Sequence, residues 1–108
     1  MNKQIIDALK DLGVSVTFQT YDGTETTYIT FFNYLENGSS YADNKETSTG
    51  NYIQIDVWSM GDYTTLVDGV LEALKQAEFQ RTYVTEMYEK DTGIYHKVIR
   101  VSKFEEVL

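Results

Sequence analysis

Residues that could carry out chemistry are few and scattered in this sequence. His96 is the only histidine and cysteine is absent, so neither a thiolate nucleophile nor a cysteine metal site can form. A single imidazole within a strand-like run is typical of a structural or surface histidine, and we predict that role for His96. The glycine-rich motifs that bind phosphates and the G-x-S-x-G motif of serine hydrolases do not occur.

Acidic residues are numerous but are not arranged for catalysis or for metal binding. Asp68 and Glu72 lie four residues apart, so on a helix they share one solvated face. Catalysis by paired carboxylates needs a cleft that raises one pKa, and no pattern here indicates a cleft. Residues 43–46 are rich in oxygen ligands but lack the spacing and the glycine of an EF-hand. We therefore expect a protein that is not an enzyme and that has no cofactor or metal.

Length and composition indicate one folded domain, residues 1–108. Hydrophobic residues make up 42% of the chain and aromatic residues 14%, enough for a core without disulfides. The net charge of −8 disfavours direct binding to nucleic acid. The first residues become charged before any apolar run develops, and no run approaches the length of a membrane span. We expect a soluble protein that is intracellular where it is made.

The hydrophobic pattern predicts two helices and five strands. Helical spacing covers residues 3–12, and alternation predicts strands over 14–18 and 53–58, with an aromatic strand over 27–35. A second apolar stripe at helical spacing runs from Tyr63 to Ala77, with Asp62 at the N-cap. Residues 79–89 and 94–102 read as a hairpin closed by Gly93, in which Glu86 faces Lys97 and Val84 faces Ile99.

Residues 36–51 differ from the rest because they are polar and rich in Gly, Ser and Thr. We predict a long flexible loop here that orders on assembly, with Asn37, Gly38, Tyr41, Asp43 and Asn44 as its candidate assembly residues. The order of elements predicts an α+β fold. Its sheet is mainly antiparallel, with about four to five strands, and both helices pack on one face.

The sequence contains nine tyrosines, and tyrosine is common both in strands and in protein interfaces. Several of them cluster on the predicted hairpin together with charged side chains, more than one buried face can accommodate. We therefore predict a protein interface at the hairpin, formed by Tyr83, Glu86, Tyr88, Tyr95, Lys97 and Arg100.

Several stretches, taken in order and spacing, resemble the small tail-completion or tail-terminator proteins of long-tailed bacteriophages and prophages. The similarity covers most of the chain and is carried by residues 28–32, 43–44, 54–59, 86–89 and 91–100, with Tyr63, Leu66 and Phe79. The resemblance implies an α+β subunit that forms a ring, generally a hexamer, on the last ring of the tail tube. It also implies partners in the tail-tube and head-connector proteins, and a location in the virion tail after a period in the host cytoplasm.

Two other functions stay open from the sequence. An acidic protein that mimics DNA would need its carboxylates arrayed on one face, and Lys97, Arg100 and Lys103 interrupt such an array. An adaptor of a host protein complex is the second alternative. We expect the isolated protein to be a monomer that forms a ring on assembly, since its net charge opposes self-association.

Overall fold

The computed structural model describes residues 2–42 and 45–106. The chain forms two helices and five strands, with three strands after the first helix and two after the second. The elements, in chain order, are α1 (Asn2–Leu9), a 3-10 turn (Lys10–Leu12), β1 (Ser15–Phe18), β2 (Tyr28–Ala42), β3 (Lys45–Ser59), α2 (Thr64–Gln76), β4 (Gln80–Glu89) and β5 (Ile94–Glu106). This architecture confirms the predicted α+β fold with two helices and a sheet.

The five strands form one mixed sheet in the order β1-β2-β3-β5-β4. Three of the four strand pairs are antiparallel, and β1 pairs with β2 in parallel. The connection over 19–27 carries the chain back along the short strand β1 before β2 begins. The sheet is therefore mainly antiparallel, as predicted.

Both helices pack against the same face of the sheet. Ile53, Ile55 and Val57 alternate along β3 and are fully buried, and they join the apolar stripes of the helices in one core. Burial of this surface is the main source of stability for such a domain. The other core residues are Ile5, Leu9, Ile29, Phe31, Tyr63, Val67, Val70, Leu74, Phe79, Ile99 and Val101.

Local signals in the sequence explain where the helices begin and end. The turn after α1 ends at Gly13, whose φ of 81° is the left-handed conformation that glycine adopts at helix ends. Asp62 precedes α2 by two residues, and its Oδ1 accepts a hydrogen bond from the backbone N–H of Thr64 at 3.0 Å. This bond lowers the pKa of Asp62. The N-cap position itself is Tyr63, one residue later than predicted.

The β4–β5 hairpin has the predicted register. Glu86 lies opposite Lys97 and Val84 opposite Ile99, and Gly93 has a φ of 72° in the turn. Strand β5 extends beyond the predicted end at 102 to Glu106, because its second edge pairs with β3 along almost its whole length. A bulge between Arg81 and Tyr83 interrupts the outer edge of the hairpin.

The prediction of a long loop over 36–51 was wrong. Residues 36–42 continue β2 and residues 45–51 belong to β3, and their backbones pair in an antiparallel ladder with irregularities near Gly38 and Ser40. Backbone hydrogen bonding does not depend on apolar side chains, so a polar stretch can extend an existing ladder. Asp43 and Asn44 lie outside the described residues. No helix among residues 2–42 and 45–106 is long and apolar enough to cross a membrane.

Candidate functional site: the open face of the sheet

The face of the sheet opposite the helices has no helix over it, and we call it the open face. It is built from the strand positions that alternate with the buried core, so the same period-2 pattern that fills the core also determines this surface. Its residues include Tyr28, Thr30, Phe32, Tyr34, Tyr52, Gln54, Asp56, Trp58, Tyr83, Thr85, Met87, Glu89, Ile94, His96, Val98, Arg100 and Ser102.

A chain of hydrogen bonds runs across the centre of the open face. Asp56 Oδ1 accepts from Gln54 Nε2 at 2.9 Å and lies 2.7 Å from His96 Nε2. Gln54 Oε1 in turn accepts from Arg100 Nε at 3.1 Å. Only 4% of Asp56 is exposed, so these bonds compensate a carboxylate that has been removed from water. The network joins β3 to β5 and orients four polar side chains.

Beside this network, four rings follow one another across the face. Tyr21 stacks on Tyr28 at 4.1 Å between centroids, Tyr28 lies 6.1 Å from Trp58, and Trp58 stacks on His96 at 3.7 Å. The indole Nε1 of Trp58 donates to Thr30 Oγ1 at 3.0 Å. The row of rings is therefore positioned both by stacking and by a hydrogen bond, which together fix its orientation.

Arg100 lies between aromatic rings at the other end of the polar network. Its guanidinium carbon is 4.7 Å from the centroid of Tyr34 and 5.6 Å from that of Tyr83. Both distances are within the range of cation–π attraction. With Nε bonded to Gln54, the side chain is held in one orientation, and no carboxylate among the described side chains forms an ion pair with it.

The charged side chains of the open face include Asp56, Glu89 and Arg100. Glu89 lies at the end of β4, where it lines a hollow together with Met87 and His96. The rest of the surface is rich in Tyr and carries the single Trp, and these aromatic residues and Arg are enriched in protein interfaces.

Two hollows flank Trp58 where the open face meets the loops. One has a volume of about 250 Å³ and is lined partly by Tyr28, Trp58 and Met60, and the other is about 260 Å³ and includes Trp58, Met87 and His96. Met60 and Met87 are each about half exposed. Flexible methionine side chains beside a fixed indole can adapt to an apolar side chain of a partner.

The predicted interface residues fall into two groups on opposite faces. Tyr83 and Arg100 belong to the open face, as described above. Glu86, Tyr88, Tyr95 and Lys97 lie on the helix side, near the beginning of α2. The rings of Tyr88 and Tyr95 are 4.6 Å apart, and Tyr95 also approaches Tyr63 at 5.8 Å.

Tyr63 and Glu86 anchor the second group. The Tyr63 hydroxyl donates to Glu86 Oε1, which ties α2 to β4. Burial, together with the bond to the Glu86 carboxylate, raises the pKa of Tyr63 well above its ordinary value. Tyr88 remains 52% exposed and Tyr95 37% exposed, so both offer ring surface to solvent beyond the end of the helices.

The candidate assembly residues of segment 36–51 lie in neither of these two groups. Asn37 pairs with Gly50, Gly38 with Thr49, and Tyr41 with Glu46 in the β2–β3 ladder. Asp43 and Asn44 are not among the described residues. The structure therefore brings Asn37, Gly38 and Tyr41 into a strand that continues away from the helices, and not next to the predicted hairpin interface.

Most residues of the open face were not recognised as site residues from the sequence, among them Tyr34, Gln54, Asp56 and Trp58. One signal was present, since Gln54, Asp56 and Trp58 alternate with three core residues. Alternation predicts that these side chains share the second face, but it does not predict that this face is left uncovered. No group of three or more His, Cys, Asp or Glu side chains suited to a metal ion occurs in the described part of the chain.

Comparisons with known proteins extend only to the fold. No protein family and no curated protein sequence matches this chain. One solved structure, designated only by a sequence number, superposes with a TM-score of 0.57 at 14% sequence identity. The match covers 99% of this chain and 90% of that chain. At this level of identity the similarity shows that the two chains share an overall fold.

Proposed function

We propose that this protein is a structural subunit of a long-tailed bacteriophage that caps the tail tube and joins it to the head. In this proposal it acts through protein contacts and not through catalysis. It is a monomer in the host cytoplasm and forms a ring when it meets the tail-tube and head-connector proteins, and the family resemblance implies a hexamer. The final location of the ring is the virion tail.

The observation that carries the proposal is the composition of the open face. It is a large sheet surface with fixed tyrosine, tryptophan and arginine side chains, the residue types that dominate binding energy in protein interfaces. The sequence resemblance to tail-completion proteins supplies the particular assembly, and it is an argument by analogy.

Two further features are consistent with a subunit that contacts several neighbours. The molecule is elongated, with extents of 53 × 26 × 23 Å, because β2, β3 and β5 continue past the helix-covered core. The exposed rings of Tyr88 and Tyr95 form a second aromatic patch on the opposite side from the open face. A ring subunit requires at least two distinct contact surfaces, one for each neighbour.

Deletion of the gene from a phage or prophage genome, with complementation by plasmid-borne variants, tests the proposal. We expect the deletion to yield tails of abnormal length or tails without heads under the electron microscope, and the wild-type gene to restore normal virions. Normal virions from the deletion strain would contradict the proposal. In that outcome, inhibition of a DNA-binding enzyme by the purified protein would favour the DNA-mimic alternative.

The same assay tests the hairpin contact. Tyr88→Ala and Tyr95→Ala each remove an exposed ring, and truncation of an interfacial tyrosine costs about 2 kcal/mol or more of binding energy. We expect at least one variant to fold normally and yet fail to complement. Thermal denaturation of the purified variants is the control, because a variant that has unfolded says nothing about a contact.

A further inference from the structure

We infer that the two hollows beside Trp58 bind a basic segment of a partner protein, one that presents apolar side chains together with lysine or arginine. The inference rests on the proposed role of the open face in protein contacts. It specifies the chemistry of the partner at one part of that face, where the sheet meets the loops.

The two hollows have apolar side chains in common. Trp58 and Ile94 line both of them, and each of these residues is half-buried. One methionine is exposed beside each hollow, Met60 at the first with 54% exposed and Met87 at the second with 50% exposed. Exposed apolar side chains that adjoin one another are typical of binding surfaces, and methionine can adapt its shape to an apolar group of a partner.

Carboxylates in both hollows indicate that the partner is basic. Glu25 lines the first hollow and Glu89 the second, and both residues are exposed. Glu25 accepts a hydrogen bond of 3.3 Å from Ser15 Oγ, but neither carboxylate forms an ion pair with a described side chain. Among the described residues, no lysine or arginine lines either hollow. A cationic group therefore meets an unpaired carboxylate in each hollow, whereas an acidic partner meets like charge in both.

The basic side chains of the open face do not neutralise these carboxylates. His96 lines the second hollow, but its Nε2 is bonded to Asp56. Arg100 lies opposite Tyr83, and the strand from residue 83 to residue 89 is roughly 20 Å long. Because this distance exceeds the Debye length of about 8 Å in physiological salt, Arg100 does not repel a cation that binds to Glu89.

Apolar surface and a carboxylate in the same hollow suit the side chains of lysine and arginine. Their methylene stems pack on apolar groups while the charged head reaches an acidic group. The volumes of about 250 Å³ and 260 Å³ correspond to on the order of eight water molecules each, which is room for one long side chain. Because Trp58 lies between the hollows, one segment that crosses the indole can place a side chain in each of them.

Nuclear magnetic resonance titration of the purified full chain with short peptides, in physiological salt, tests the inference. The probe is the acetylated and amidated peptide Lys-Leu-Gly-Leu-Lys, and the controls are Glu-Leu-Gly-Leu-Glu and Lys-Ser-Gly-Ser-Lys. We expect the probe to shift the indole signal of Trp58 and the methyl signals of Met60 and Met87. The acidic control should leave these signals unchanged, and the control without leucine should bind at least about threefold more weakly.

Two matched pairs of variants separate the contributions of charge and apolar surface. Glu89→Gln and Asp7→Asn each remove one negative charge, but Asp7 is an exposed residue of α1 on the other side of the sheet. Met87→Gln and Ile6→Gln each make an exposed apolar side chain polar, and Ile6 also belongs to α1. We expect Glu89→Gln and Met87→Gln to weaken binding of the probe about threefold, and the two α1 variants to change it less than about 1.5-fold. Two-dimensional spectra of the four variants confirm that the fold is intact.

Several results would overturn the inference. They are an absence of shifts up to millimolar probe, shifts that leave Trp58, Met60 and Met87 unaffected, equal binding of the probe and either control peptide, or equal effects within either pair of variants. None of these results bears on whether deletion of the gene impairs tails, so failure of this contact is distinguishable from failure of the proposed function.

Discussion

His96 and Asp56 show how single residues hold the open face together. The Asp56 carboxylate is almost completely buried, and its Oδ1 lies 2.7 Å from Nε2 of the His96 imidazole. The same imidazole stacks on Trp58, so one side chain joins the polar network to the row of rings. His96, which the sequence placed among structural or surface histidines, is half-buried and makes both contacts.

Replacing His96 with Ala should destabilise the protein by about 1–3 kcal/mol, because a buried carboxylate loses a hydrogen-bond partner. Urea denaturation measures the loss. Trp58 is the only tryptophan, so its fluorescence should also change when its stacking partner is removed. Lys90→Ala, in the exposed hairpin turn, is the control. Equal denaturation midpoints and unchanged emission in both variants would contradict this role for His96.

The stabilisation that Tyr63 contributes is lost at alkaline pH. At neutral pH, Tyr63→Phe should cost about 1 kcal/mol, since Glu86 loses its bond from the hydroxyl. The pKa of Tyr63 is raised in the folded state, whereas in the unfolded chain it is about 10. The unfolded chain therefore releases this proton first, and the stabilisation is lost as the pH rises above about 10.

Wild-type stability should consequently fall more steeply than that of Tyr63→Phe between about pH 10 and pH 11. Urea denaturation of both proteins across this range measures the difference, and ionisation of the other tyrosines affects both proteins alike. A constant difference between the two proteins over the whole range would show that Tyr63 does not have a raised pKa.

At the scale of the elements, two glycines have opposite roles. Gly69 lies within α2, where alanine is favoured by up to about 1 kcal/mol, and a new Cβ would lie 3.0 Å from Leu12 Cδ2. That methyl belongs to a half-buried side chain that can shift by a few tenths of an ångström. We therefore expect Gly69→Ala to stabilise the protein by about 0.5 kcal/mol.

Gly93→Ala is the contrasting substitution. Nothing lies within 4 Å of a Cβ at this position, but the φ of 72° is unfavourable for alanine. The expected loss is about 1 kcal/mol. Thermal and urea denaturation of the two variants measure both effects. Destabilisation by Gly69→Ala would mean that Leu12 cannot move, and unchanged stability in Gly93→Ala would mean that the turn can change its conformation.

Two kinds of signal led to the elements that were predicted correctly. In α2 and β3, burial imposes a period on the sequence, whereas the cross-strand pair of Val84 with Ile99 followed from the position of the hairpin turn at Gly93. Residues 36–51 lack such a period. Their polar composition indicates that few side chains are buried, but it does not indicate whether the backbone pairs with another strand. The parallel pairing of β1 with β2 could not be predicted either, because a local sequence pattern does not determine which strand is the partner.

The open face could be predicted only in part for a related reason. The second-face positions of β3 were visible in the alternation, but the approach of Trp58 to His96 requires β3 to pair with β5. Those strands are separated along the chain by α2 and β4, and no local signal specifies their pairing. The residues of the network thus become neighbours only through the order of strands in the sheet.

For the molecule as a whole, the net charge of −8 predicts a monomer at micromolar concentration. Repulsion between copies should keep the protein monomeric until it is concentrated or a template is present. Sedimentation velocity measures the mass directly, and raised salt should increase any self-association by screening the repulsion. A stable dimer at micromolar concentration that does not respond to salt would contradict this expectation.

The strand order β1-β2-β3-β5-β4 has a consequence for the rate at which the protein folds. The β2–β3 and β4–β5 pairs are each local in sequence and can form early, whereas β3 and β5 meet only after a long loop has closed. The seam between β3 and β5 is therefore where the entropy of the chain opposes folding most strongly. We therefore expect conservative truncations in this seam to slow folding, and not only to accelerate unfolding. Ile55→Val and Ile99→Val are two such truncations.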